Sequence, residues 1–145
     1  HRIAVLGTFI LGLETDSKQD IINRANFIVN SWVDAAQTSI LTPFPGTRLH
    51  ARLHGTEKIN CTNFPNDWHY FRFMDLTYNH PELSHEELAT TIERAWRIIY
   101  KRRVIISKAI RTFLVTRSFS ATMWAYHSNV RYRRDVLEQP VRRLS

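Results

Sequence analysis

The spacing of apolar positions changes several times along the chain. Residues 3–13 read Ile-Ala-Val-Leu-Gly-Thr-Phe-Ile-Leu-Gly-Leu, a nearly continuous apolar run of strand length that predicts a strand buried on both faces. A polar stretch follows, and in it Ser17 and Asp20 have capping-box spacing. The hydroxyl can accept from a free helix amide while the carboxylate reaches back to the cap's own amide, which predicts a helix starting near Lys18. Ile21, Ala25, Ile28, Val29 and Trp32 then form one apolar stripe at helical spacing, suited to packing on a sheet. Residues 34–41 predict a second short strand, stopped at Thr42, Pro43, Phe44, Pro45 and Gly46, where two prolines remove amide donors and the glycine permits a tight turn. Strand, helix and strand in this order imply a parallel pair.

Residues 47–54 predict a short helix, residues 55–70 a polar, aromatic-bearing loop long enough to cover something, and residues 71–74 a brief extended piece. From Ser84 the character changes. Ser84 and Glu87 repeat the capping-box spacing, and Leu88, Ile92, Ala95, Trp96 and Ile99 repeat the helical stripe. No Gly or Pro lies between Glu82 and Gln139, so the rest is expected to be helical. Its length implies two or three helices, broken at weaker signals such as Ser107, Thr116 and Ser118. The expected division is 1–82 and a helical extension at 83–145.

With 145 residues, 43% hydrophobic and 12% aromatic, the chain is too apolar for a disordered tail. No apolar run approaches the ~18 residues that span a bilayer. Cys61 stands alone, which excludes an internal disulfide and the usual thiol sets for zinc or an iron–sulfur cluster and suits a reducing, cytoplasmic setting. The sequence opens at His1 directly into a core-like strand, which reads as a cut from a longer protein. Charge is uneven: residues 1–100 hold 9 basic and 11 acidic groups, whereas residues 101–145 hold 11 basic and 2 acidic, a net +9. Such a segment suits an anionic partner, whether an anionic membrane surface, nucleic acid or an acidic domain; a solvated helix face is the plainer alternative.

In parallel sheets ligands bind beyond the carboxyl ends of the strands, here residues 12–16 and 41–46. Gly12 would let a ligand approach the backbone, and Phe9, Ile10 or Leu11 could offer an apolar surface to a flat ring. These can equally be ordinary strand residues, with Gly12 serving only the turn. His50 and His54 share helical spacing, but no third ligand is specified nearby, so no metal site is assigned. Asp67, Trp68, His69 and Tyr70 read as part of a packed cover. Trp124, Tyr126 and Tyr132 among the arginines could stack on bases, sit at a membrane interface or simply pack between helices.

Residues 7–16, Gly-Thr-Phe-Ile-Leu-Gly-Leu-Glu-Thr-Asp, and residues 34–49, which contain Leu-Thr-Pro-Phe-Pro-Gly-Thr, resemble the back half of radical S-adenosylmethionine (SAM) enzymes, in the branch carrying a cobalamin-binding domain. Residues 83–88 and 95–100 are similar to that branch's helical extension. The resemblance covers about residues 1–105. It implies an α/β fold, the C-terminal part of a partial (β/α)6 TIM-like barrel followed by an all-helical extension. It also implies that Phe9, Ile10, Leu11 and Gly12 form the adenine-side wall of a SAM site, with Asp16 in the acidic place, Glu14 a second candidate, and Thr42, Pro43 and Phe44 on the neighbouring rim. Thr8 stands where the family usually has its first Gly. The Cys-x₃-Cys-x₂-Cys loop that holds the family's [4Fe–4S] cluster is absent, so cluster and cobalamin are expected only through an upstream part.

The resemblance therefore implies a fragment, inactive by itself, of an enzyme performing radical chemistry such as methyl transfer to an unactivated carbon. Its expected partners are the upstream half of the same enzyme and a small-molecule or lipid-like substrate. An anionic membrane could meet residues 101–145, with nucleic acid ranking behind it, and the location is cytoplasmic or membrane-peripheral. The rival reading is a non-catalytic module whose basic helices bind nucleic acid or anionic membrane.

Overall fold

The computed structural model describes residues 2–56, 58–138 and 141–143, the last two by their backbone alone. His1, and the side chains of Arg142 and Arg143 that belong to the basic tail, lie outside the described residues. The elements in order are β1 (Leu6–Leu11), α1 (Lys18–Asn30), β2 (Ala35–Ile40), α2 (Arg48–His54), a 3-10 turn (Asn66–Tyr70), β3 (Asp75–Leu76), α3 (His85–Ile99), α4 (Arg102–Thr116), α5 (Phe119–Glu138) and β4 (Arg142–Arg143).

Local signals set most of these boundaries. At α1 and at α3 both halves of the capping box form: Ser17 accepts from the Asp20 amide and Ser84 from the Glu87 amide, and each carboxylate returns to its cap's backbone. Thr47 caps α2 by accepting from the His50 amide. The apolar stripe of α3 is buried throughout, with Leu88, Ile92, Ala95 and Trp96 fully enclosed. Each such large side chain stabilises the fold by roughly 1.5–3 kcal/mol. The α1 stripe ends sooner, because Ser31 is extended and closes the helix. Trp32 is 77% exposed, and the Arg111 guanidinium lies over its ring, 5.2 Å from the centroid.

β1 and β2 pair in parallel, Leu6 opposite Ala35 through Leu11 opposite Ile40, as the strand–helix–strand order predicts. β3 and β4 form a second small parallel pair. This corrects the expected barrel: the described residues form a small α/β domain with five helices and a two-stranded parallel sheet. Among the described residues the sheet does not continue past β2, whose outer edge is occupied. The Ala36 amide donates to Asn129 Oδ1 of α5 at 3.2 Å, and the Ile40 amide donates to the Phe73 carbonyl at 2.7 Å. The extension is not purely helical either, since β4 returns the chain to β3.

β1 is also not buried on both faces. Leu6, Thr8 and Ile10, with Gln37 across the register, are exposed, while Leu11 is fully buried and Phe9 sets its ring edge-on to Phe27 of α1 at 6.4 Å. The main core lies on that helix-covered side. It joins Leu11, Ile21, Ile28 and Ile40 to Trp96, Ile99, Tyr100, Val136 and Val141, so residues from either side of position 82 share it.

One helix break and one extended piece differ in place from the sequence expectation. Ser107 lies within α4, and the first break instead falls at Tyr100 and Lys101; the second falls where Thr116 and Ser118 signal it, at Arg117, whose left-handed backbone (φ 55°) closes α4 without a glycine. The extended piece expected at 71–74 appears at β3, just beyond.

Candidate functional site

The carboxyl ends of β1 and β2 lie side by side, the Leu41 amide donating to the Leu11 carbonyl at 3.0 Å. Gly12 takes φ +71° as the chain leaves β1, and a Cβ there would meet Leu88 Cδ1 at 3.3 Å and Ile92 Cδ1 at 3.4 Å. The glycine therefore serves the turn and the close approach of α3, and the space beside it is filled by leucine and isoleucine.

Asp16 is buried, and its carboxylate accepts from the Leu13 amide at 2.9 Å and from both terminal nitrogens of Arg24, Nη2 at 2.9 Å. It is a brace between loop and helix. That pair raises the Arg24 pKa, the hydrogen bond to Asp16 outweighing burial. Glu14, the second acidic candidate, pairs with Arg52 of α2.

Two side chains unassigned by the sequence complete this rim. Tyr78, fully buried, donates its hydroxyl to the Gly12 carbonyl, and burial raises the phenol's pKa well above its ordinary value. His80 donates from Nε2 to the Leu13 carbonyl at 2.9 Å, while its Nδ1 accepts from the amides of Glu82 (3.2 Å) and Leu83 (3.1 Å). These bonds fix the imidazole's tautomer. No spacing rule in the sequence singles out either residue, because each acts across more than sixty positions.

Thr42 and Pro43 are buried. The Thr42 hydroxyl bonds to the carbonyls of Ile40 (3.1 Å) and Arg72 (3.3 Å). Phe44 packs against Phe71 and Phe73, with centroids at 6.4 and 5.3 Å, inside a second apolar cluster formed by Leu53, Ile59, Cys61, Phe71 and Tyr78. The segment from 59 to 78 thus does cover something, namely the rim beyond β2.

The eight expected contact residues consequently divide into three groups. Phe9 and Leu11 face the helices; Gly12, Asp16, Thr42, Pro43 and Phe44 form a tightly bonded rim; Ile10, 47% exposed, faces the open side of the sheet. Among the described residues they point to different sides of the sheet. What the geometry offers a ligand is the open face, with apolar Leu6 and Ile10 beside polar Thr8, Gln37 and Ser39. A trough of about 510 Å³ borders it, lined by Gln37, Ser39, Arg72, Met74 and Tyr132 among others.

The remaining candidates take structural roles. His50 and His54 stack at 5.6 Å, and burial first, then the neighbouring imidazole, lowers the His50 pKa. Among the described residues no three His, Cys, Asp or Glu side chains gather as a metal set. The Cys61 thiol is buried and pushed up to about 11 by burial, with Asp67 and Asp75 adding to the effect, which leaves it a poor nucleophile. Trp68 packs on Phe64 and Phe71, and Asp67 accepts from the Asn63 amide at 2.8 Å.

A polar network on the other end of β2 also escaped the sequence reading. Asp34 accepts from the Val5 amide at 2.8 Å and from Thr112 Oγ1 at 2.6 Å. Lys108 and Arg111 of α4 both donate to the Val33 carbonyl at 2.8 Å, and Arg111 also to that of Ser31 at 2.9 Å. Two cations thus sit at the carboxyl end of α1, where the helix dipole favours them. Lys108 is 4% exposed, and burial, then Arg111, lowers its pKa to about 8.

No helix of the described residues is long and apolar enough to cross a membrane. No family model matches the chain, and no solved structure matches it. In sequence it is similar to a bacteriochlorophyllide d C-12(1)-methyltransferase of Chlorobaculum tepidum, 28% identical over 108 residues, which are 74% of this chain and 22% of that protein. It is also similar to an uncharacterized methyltransferase of Pyrococcus horikoshii, 23% identical over 125 residues, 84% of this chain and 26% of that protein. The chain thus spans about a quarter of the length of these relatives. Both are described by methyl transfer, with nothing of radical chemistry, an iron–sulfur cluster or cobalamin. The resemblance to radical SAM enzymes is corrected accordingly, and the expected cluster and cobalamin are withdrawn with it. A wholly non-catalytic binding module gains no support from these relatives. The similarity that stands is to methyltransferases.

Proposed function

We propose that these residues belong to a methyltransferase and supply one wall and the supporting rim of its SAM and substrate site. The observation that carries the reading is the similarity to two methyltransferases from different organisms over 74% and 84% of the chain. SAM supplies a methyl group made electrophilic by its sulfonium. Ile10 and Leu6 offer the apolar wall, excluding water from one side of the bound molecule, while Gln37 and Ser39 offer hydrogen bonds to its polar edges. Gly12, Asp16, Thr42, Pro43 and Phe44 hold the rim in register, and Phe9 and Leu11 anchor the sheet on the helices. The other walls come from protein outside these residues, consistent with relatives of which the matched segment is only 22% and 26%. A small-molecule or lipid-like substrate approaches the same open face.

The test is equilibrium dialysis of labelled SAM against the protein in its longest encoded form, comparing wild type with Ile10→Asp. Ile10 is on an exposed strand position, so the variant should fold and bind SAM about ten-fold more weakly or worse. Equal binding by both would remove Ile10 from the site; no binding by wild type would sink the reading.

A further inference from the structure

The outer face of the hairpin made by α4 and α5 is apolar where a surface helix pair would ordinarily be polar. On α4, Ile106, Ile110 and Phe113 recur at spacings of four and three and are all exposed, Ile110 by 57%. On α5, Phe119, Tyr126 and Val130 recur at seven and four, with Phe119 71% exposed. The two rows meet, because Ile106, Tyr126 and Val130 line one hollow of about 500 Å³ between the helices. The inward positions of the same helices, among them Ile105, Thr112, Ala125 and Asn129, are buried against the domain. The strip is therefore additional to the core and unpartnered among the described residues.

Positive charge frames the strip. Arg102, Arg133 and Arg134 line the hollow at one end, outnumbering Glu138 beside them, and Arg117 turns the chain at the other. Between residues 101 and 138 the chain carries nine basic and two acidic groups. One of the two, Asp135, lies 3.9 and 3.8 Å from Arg131 and Arg134. Contiguous exposed apolar surface marks an interaction site.

We infer that the outer face of the α4–α5 hairpin docks on an anionic phospholipid surface, the strip from Ile106 to Phe119 entering the boundary between headgroups and acyl chains while Arg102, Arg117 and Arg134 meet lipid phosphates. Apolar residues with flanking arginines and interfacial aromatics are what such a surface recognises. Nucleic acid would satisfy the arginines but leave Ile110 and Phe113 in water. A second copy docked on this face would set like-charged arginines against each other. The contact is peripheral, since neither helix can cross a bilayer.

The test is flotation of the full chain with vesicles of phosphatidylcholine alone or mixed with phosphatidylglycerol. The expected result is binding to the mixed vesicles at least about ten-fold stronger than to neutral ones, weakened by salt. Ile110→Glu with Phe113→Glu should lose the binding, and Arg102→Glu with Arg134→Glu should lose the preference for anionic lipid. Trp68→Ser, an exposed aromatic outside the hairpin, should change nothing. Far-ultraviolet circular dichroism checks that each variant is folded. Failure of the wild type to bind, equal binding to neutral vesicles, or full binding by the folded Ile110/Phe113 variant overturns the proposal. So does a dimer that this double variant dissolves while vesicles stay unbound.

Discussion

Replacing Asn129 by leucine tests how β2 is held at its outer edge. The Asn129 amide group donates to the Asp34 carbonyl at 2.8 Å and accepts from the Ala36 amide at 3.2 Å, with a further bond to the Ala125 carbonyl at 2.8 Å. Leucine has similar volume but offers no polar atom, so it leaves an amide and a carbonyl of the strand buried without these partners. An orphaned buried group costs about 1–3 kcal/mol, hence about 2–6 kcal/mol for the two. Leucine's greater apolarity recovers part of this, so about 2–4 kcal/mol is expected. A domain of this size is stable by only about 5–15 kcal/mol, and each kcal/mol corresponds to about 2–4 °C in Tm. Urea unfolding of Asn129→Leu should show a lower midpoint at unchanged slope. A change under about 0.5 kcal/mol would refute the view that α5 closes the sheet through this side chain.

Other expectations concern single features. Gly12→Ala forces a side chain into left-handed backbone and against Leu88 and Ile92, and thermal unfolding should show a loss of about 1–2 kcal/mol or more. Ser84→Ala removes the cap of α3 and should cost about 1 kcal/mol in the same assay. Because burial lowers the Lys108 pKa to about 8 from the ordinary lysine value of 10.5, the unfolded chain binds more protons between those values and stability should rise with pH across that window. Urea midpoints of wild type and Lys108→Met, measured in parallel, should diverge there, with the variant lacking the rise; parallel curves would contradict the assignment. The Glu87 carboxyl, held at about 2 chiefly by Lys18 and then by Ser84, contributes stability above its unfolded pKa that is lost as pH falls toward 2. Glu87→Gln should show a shallower acid limb in pH-dependent unfolding.

The features legible in the sequence are the local ones. Ser17 with Asp20, and Ser84 with Glu87, announce α1 and α3 because capping couples residues three apart. The stripe from Leu88 to Ile99 likewise fixes the buried face of α3. Apolarity misled at β1, since Leu6 and Ile10 read as core but stand on the open face, and Val5 is exposed just before the strand. At α1, Trp32 kept helical spacing past the point where Ser31 ends the helix. The break after Thr116 was legible in Thr116 and Ser118, with Arg117 between them in left-handed backbone, whereas the break at Tyr100 and Lys101 carries no glycine, proline or side-chain cap to announce it. The site was legible as two adjacent strand ends and little further. Tyr78, His80, Asp34 and Asn129 act through partners 29 to 95 positions away, and no periodicity reports such contacts.

The most direct measurement is photocrosslinking of labelled SAM to the protein in its longest encoded form, followed by peptide mapping of the label. Label is expected in the peptides containing residues 6–13 or 37–44, competed by unlabelled SAM and reduced in Ile10→Asp. Competable label confined to other segments, or none at all, would contradict a role for this sheet face in methyl transfer.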